Sequence, residues 1–143
     1  MRRVLVLLLV AMFSLGHGCT DEDPAAEYYA DKNLTTEAVS DAGRQLTYIA
    51  DPSPIPMAEE FGLTVTVHDE SGSPLQVDAL EFRGDMPAHG HGMNVEPLVE
   101  DLGDGVWSVD PLLFHMPGHW EMEVAIQVDG AWDSAIFDVR CCE

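Results

Sequence analysis

Short apolar runs with a period of two, each followed by a turn signal, are the feature that most constrains the fold of this chain. In the clearest run, Leu63, Val65 and Val67 alternate with polar residues, which is the pattern of a strand with one buried face. Asp-Gly pairs at 104–105 and 129–130 supply the positive φ that a tight hairpin requires. The pattern predicts strands at 45–50, 63–68, 77–83, 93–99, 106–109, 112–114, 119–128 and 132–139.

We therefore expect an all-β domain over residues 44–140, a small immunoglobulin-like β-sandwich of about seven or eight strands. Residues 84–92, rich in Gly and His, are predicted to form a loop. Pro111 is predicted to break its strand, because proline has no N–H to donate to a sheet. Residues 141–143 form a short tail with adjacent cysteines. These cysteines could form a strained disulfide, bind a soft metal, cross-link two copies or simply lie in a frayed end.

The first 18 residues have the order of a secretory signal peptide. Arg2-Arg3 gives a positive start, 4–15 is almost entirely apolar, and 16–18 leads into Cys19. The apolar run is shorter than the ~20 residues that a membrane-spanning helix needs. Gly18 before Cys19 resembles a lipobox, so we expect a lipid on Cys19; plain cleavage nearby would instead leave it as a free thiol.

Residues 19–43 are predicted to be an acidic tether between that lipid and the domain. The expected location is the cell envelope, facing the periplasm. Thr20 rather than Asp follows Cys19, which favours the outer membrane over the inner one.

The composition is strongly acidic and excludes one class of partner. The 6 basic and 26 acidic residues give a formal net charge of −20, and removal of 1–18 would take away two of the basic residues and no acid. Nucleic acid is therefore excluded, because its phosphates would be repelled. A field of this sign concentrates cations near the surface, although acidity also serves solubility alone.

Two short segments hold most of the histidines outside the signal peptide and are also rich in methionine. They are 85–93 and 114–120, and each contains a Met-Pro-small-His motif. Imidazole and thioether together favour copper, with thioether preferring Cu(I), whereas zinc favours His, Cys and carboxylate. If 89–93 is extended, His89, His91 and Met93 point to one side. Alternatively the methionines fill gaps in the core, and the histidines lie on the surface.

From about residue 63 to 128 the chain resembles the YtkA-like family, which is related to the FixH proteins. The resemblance rests on the turn at 67–74, on the Met-Pro-x-x-x-His-Gly-Met segment at 86–93, and on Gly105-x-Trp107 followed by Phe114-x-Met116-x-Gly118-x-Trp120. It implies a small periplasmic sandwich connected with copper handling. Carried over by position, the candidate copper ligands are Met86, His89, His91, Met93, His115, Met116 and His119.

The chain departs from the family pattern in its histidines. His89 stands where the family often has methionine, and His115 and His119 enrich the second segment in imidazole. More imidazole shifts the expected preference toward Cu(II), or toward a site that holds both Cu(I) and Cu(II).

We expect a binding protein rather than an enzyme, because no Gly-x-Ser-x-Gly, P-loop or His-Glu-x-x-His motif occurs. The expected function is to sequester copper or to deliver it to an envelope copper protein or membrane complex. The alternative is a domain that docks on a membrane complex without a metal. A third hypothesis is a scavenger of zinc or other cations driven by acidity.

Overall fold

The computed structural model describes residues 36–142, and all its regular elements are β-strands. In chain order they are β1 Glu37–Val39, β2 Gln45–Asp51, β3 Glu60–His68, β4 Ala79–Met86, β5 His91–Gly92, β6 Leu98–Gly103, β7 Val106–Leu113, β8 Gly118–Val128 and β9 Ala131–Cys141. The predicted signal peptide, Cys19 and most of the predicted tether lie outside the described residues. Over 36–142 there is no helix with the length and hydropathy needed to cross a membrane.

The strands form two antiparallel sheets that enclose one core. Their orders are β1-β2-β3-β7-β6 and β5-β4-β8-β9. Alternate residues of each strand turn inward, as Phe61, Leu63, Val65 and Val67 do on β3. The first sheet contributes Leu46, Val65, Val67, Val109 and Leu112, and the second contributes Leu80, Trp120, Met122, Val124, Ile126 and Phe137. The predicted all-β sandwich is confirmed.

The two Asp-Gly turns form as predicted. Asp104 and Gly105 have φ of 53° and 76°, and Asp129 and Gly130 have φ of 51° and 78°. Positive φ at both central residues matches the right-handed twist of the strands that each turn joins. These turns connect β6 to β7 and β8 to β9.

Three strand predictions were wrong in detail. Only the last two residues of the predicted strand 93–99 are in a strand, because the chain leaves β5 at Gly92 and crosses to the other sheet before β6 begins at Leu98. Pro111 does not break β7, because the pairing register with β3 shifts between Phe61 and Leu63, next to the proline, and a bulge tolerates a missing N–H. Residues 36–142 hold nine strands rather than seven or eight, because short β1 and β5 add to the edges.

The sandwich also extends beyond both predicted ends of the domain. β1, at Glu37–Val39, lies within the segment assigned to the tether and pairs with β2. Cys141, assigned to the tail, is the last residue of β9, pairs with Gly118 and is 3% exposed. A disulfide joins it to Cys142. Cys141 is therefore part of the core and not of a frayed end.

Candidate metal centre

The segment with the first Met-Pro-x-His motif forms a small hairpin at one end of the sandwich. β4 ends at Met86, whose carbonyl oxygen accepts a hydrogen bond from the N–H of His89 at 3.0 Å. β5 then returns with His91 opposite Met86, and the N–H of Met93 donates to the carbonyl of Gly84 at 3.1 Å. The predicted loop at 84–92 is therefore wrong for its first and last residues, which belong to β4 and β5.

Three imidazole rings meet at this end of the sandwich, and we call His89, His91 and His115 the histidine cluster. The rings of His91 and His115 are stacked, with centroids 5.1 Å apart, and the centroid of His89 is 5.8 Å from that of His91. Beneath them lies buried Trp120, 5.5 Å from His115 and 6.1 Å from His91 between ring centroids. Trp120 itself stacks on Phe114 at 4.5 Å. Two buried aromatic rings thus form a rigid base for the cluster.

The spacing of these rings suits ligands that share one ion. With a nitrogen–metal distance of about 2 Å, a bound ion lies roughly 3 Å from each ring centroid, so two ligand rings have centroids about 5–6 Å apart. The observed 5.1 and 5.8 Å fall in that range. Among residues 36–142, the side chains that place three ligand atoms within 4.8 Å of one another are His119, Glu121 and Asp138. The nitrogens of the three cluster rings are therefore not all within that distance of one another. An imidazole nitrogen donates in the plane of its ring, and the ring planes of His91 and His115 are stacked at 29°. At least one of these two rings must therefore turn before both can bind one ion.

His115 has a buried ring nitrogen without a partner. Its Nδ1 and the Nε1 of Trp107 are the buried side-chain nitrogens in 36–142 that lack a hydrogen bond. Leaving a buried polar group unpaired costs about 1–3 kcal/mol, and an ion is one of the explanations that such an atom calls for. In His91, Nδ1 lies 3.1 Å from the carbonyl oxygen of Gly92. A proton held there leaves Nε2 as the lone-pair donor.

Met93 lies on the same side of the hairpin as His91. Side chains two residues apart in an extended segment share a face, and the Met93 thioether covers Gly84. Its Sδ lies 3.0 Å from the position that a Cβ on Gly84 would occupy. The absence of a side chain at Gly84 therefore makes room for the Met93 thioether on the face of the hairpin that carries His91.

The other two candidate methionines have packing roles as well. Met86 is 3% exposed, and its methyl group lies 2.6 Å from where a Cβ on Gly118 would be. Met116 is partly buried against the core, and its backbone carbonyl accepts a hydrogen bond from Trp120 Nε1 at 3.0 Å. Met86 thus fills a gap in the core, and Met116 holds the indole that supports the histidines.

His119 points away from the histidine cluster. It precedes Trp120, which is fully buried, and successive side chains of a strand face opposite sides. Its Nε2 lies 2.8 Å from Asp138 Oδ1 on β9. His119, Glu121 and Asp138 place one ligand atom each within 4.8 Å of one another, and we call them the outer-face group. The two Met-Pro-x-His motifs therefore deliver their histidines to different sides of the sheet.

Sequence reasoning missed Glu121 and Asp138. The signal for Glu121 was available, because His119 and Glu121 are two residues apart in a strand that was predicted. The signal for Asp138 was available too, because a two-residue turn at Asp129-Gly130 pairs Val128 with Ala131, and that register places Asp138 opposite Glu121.

A family model described as YtkA-like matches residues 44–125, which include both His/Met segments and more than half of the chain. No curated protein and no solved structure matches.

Proposed function

Because the chain belongs to the YtkA-like family, we propose that it is an envelope copper-binding protein, which sequesters the ion or passes it to a partner. In this proposal the signal peptide exports the chain and Cys19 carries a lipid. The domain then faces the periplasm, with the outer membrane favoured over the inner one. Its work is binding rather than catalysis, and the partner is an envelope copper protein or membrane complex.

The observation that carries the proposal is the buried Nδ1 of His115, which has no hydrogen-bond partner and belongs to a ring that lies 5.1 Å from that of His91 between centroids. His91 and His115 would hold the ion, His89 would join from the turn, and Met93 would offer the sulfur. This donor set fits copper in either oxidation state, because imidazole serves both and thioether favours Cu(I). It fits zinc less well, since Met is not a usual zinc ligand.

The position of the cluster fits a carrier. His89 is exposed, His91 and His115 are partly exposed, and Trp120 beneath them is fully buried. An ion held there is reachable from one side only, so a partner can approach without disturbing the core. The acidic surface would raise the local concentration of cations.

The proposal is tested by titrating the full chain with Cu(II), and with Cu(I) under reducing conditions, while following tryptophan fluorescence. An ion about 3 Å from the His115 ring centroid lies no more than about 8.5 Å from the centroid of Trp120, because the two ring centroids are 5.5 Å apart. We expect stoichiometric binding that changes the tryptophan emission of the chain, to which Trp120 contributes from beneath the cluster. The double variant H91A/H115A should lose the binding and the change in emission.

His68 provides the matched control, because it is a histidine on β3 outside the cluster. H68A should bind copper like the unchanged protein. If H68A and H91A/H115A weaken copper binding equally, the binding is a general attraction of the ion to histidines and acidic residues and not a property of the cluster. The metal-free docking domain would then be the better hypothesis.

That alternative has weaker support in the structure. A docking surface would be a contiguous apolar patch, whereas the exposed large apolar residues lie on several strands. They include Val39 on β1, Ile49 on β2, Leu98 and Leu102 on β6, and Trp132 and Ile136 on β9.

A further inference from the structure

The outer-face group lies on the most regular part of the second sheet. β8 and β9 pair without interruption from Gly118 opposite Cys141 to Val128 opposite Ala131. His119 and Glu121 are neighbours on one face of β8, and Asp138 lies directly opposite Glu121 on β9. The backbone under the three side chains is therefore held by a continuous ladder of hydrogen bonds, which fixes their spacing in advance.

The three side chains are close and partly shielded from solvent. One ligand atom of each lies within 4.8 Å of the others, and His119 Nε2 is 2.8 Å from Asp138 Oδ1. The side chains of His119 and Asp138 are 18% and 28% exposed. One imidazole and two carboxylates thus lie within reach of a single ion, which would take the place of the hydrogen bond between His119 and Asp138.

The charges around this group favour a cation. Asp85, Glu121 and Asp138 occupy neighbouring positions in one row across β4, β8 and β9, and like charges placed opposite each other in a sheet are destabilising. Arg83 forms an ion pair with Asp85 at 2.9 Å. Arg140 is the cross-strand neighbour of His119 and offsets part of the remaining negative charge.

We propose that His119, Glu121 and Asp138 form a second metal site, distinct from the histidine cluster, that binds one divalent cation such as Zn(II). Carboxylate oxygen and imidazole nitrogen are ligands for divalent ions of hard to borderline character. The group contains no sulfur donor, so it does not select Cu(I). Solvent completes the coordination on the open side. This site goes beyond the copper function and does not depend on it.

The site is tested by calorimetric titration of the full chain with Zn(II), in the unchanged protein and in H91A/H115A. We expect one Zn(II) per chain to remain bound when the histidine cluster is removed. Loss of all Zn(II) binding in H91A/H115A would overturn the proposal and assign the ion to the cluster. Absence of stoichiometric binding in both proteins would leave the group as an ion-pair network.

Single substitutions then identify the ligands. E121Q and D138N should each weaken Zn(II) binding by more than about 100-fold, because even the loss of an outer-shell partner costs 10–100-fold. E123Q is the matched control, since Glu123 lies two residues from Glu121 on the same face and pairs with Arg83 instead. It removes the same charge and should change the affinity by less than about threefold.

Thermal unfolding without metal verifies that each variant folds. With the histidine cluster removed by H91A/H115A, Zn(II) should raise the midpoint of E123Q but not of E121Q. If E123Q weakens binding as much as E121Q does, the ion is held by diffuse negative charge and the proposed site is refuted.

Discussion

Replacement of His115 by phenylalanine is expected to stabilise the metal-free protein while weakening copper binding. The His115 ring stacks on His91 and meets the edge of Trp120, and its Nδ1 is buried without a partner. Phenylalanine can keep both ring contacts and removes the unpaired nitrogen. The substitution therefore separates the stability that the unpaired nitrogen costs the domain from the contribution of His115 to copper affinity.

The expected gain follows from the buried nitrogen. Removal of an unsatisfied buried polar group should recover about 1–3 kcal/mol of stability. Crowding by the larger phenylalanine ring should take away roughly 1 kcal/mol of that gain, the low end of the cost of overpacking. His115 is only partly buried, so the added ring atoms have room at the exposed edge. The net expectation is a gain of about 1 kcal/mol, or a rise of about 4 °C in Tm for a domain of this size.

The assay is urea unfolding of H115F and of the unchanged protein, both with a chelator present. With a slope of about 1–3 kcal/mol per molar urea, the midpoint should rise by roughly 0.3–1 M. In parallel, the copper affinity of H115F should fall by at least about 100-fold, or ~2.7 kcal/mol. H68F serves as the control and should change stability by less than about 0.5 kcal/mol.

Two results would refute this reasoning. A clear loss of stability in metal-free H115F would mean that the His115 nitrogen is already satisfied. Unchanged copper affinity would remove His115 from the proposed copper site, whatever happens to stability.

Two further predictions concern the stability of the β-sandwich itself. Burial raises the pKa of Asp133. Hydrogen bonds from Ser40 and Arg44 outweigh this effect, so the pKa lies below its ordinary value. D133N should therefore cost about 1–2 kcal/mol at neutral pH. The difference in unfolding free energy between D133N and the unchanged protein should be constant above about pH 3.9, the pKa of Asp133 in the unfolded chain. It should shrink as the pH falls through the lower pKa of Asp133 in the folded protein, which unfolding curves at several pH values would show. G105A should destabilise far more than G72A, because both glycines have positive φ, at 76° and 84°, but only at Gly105 would a Cβ meet backbone oxygens, at 2.5 and 2.8 Å; equal losses in unfolding free energy would contradict the steric explanation.

Local sequence was sufficient for most of the fold. The alternation of Leu63, Val65 and Val67 and the Asp-Gly turns are decided within a few residues, because strand period and positive φ are local properties. Strand ends were less predictable. β7 continues through Pro111 because a bulge in its pairing with β3 tolerates the proline, and the position of that bulge depends on β3.

The candidate site, like the fold, was predictable from local sequence only in part. Sequence alone picked out two His/Met segments, because the residue types that can bind copper are visible without a structure. Which of those residues meet was decided by tertiary structure. The β4–β5 hairpin and the approach to β8 bring His91 and His115 together, whereas strand alternation sends His119 to the outer face with Glu121 and Asp138. The contact between His91 and His115 depends on pairing between β4 and β8, which are distant in sequence, so no single segment contains that information.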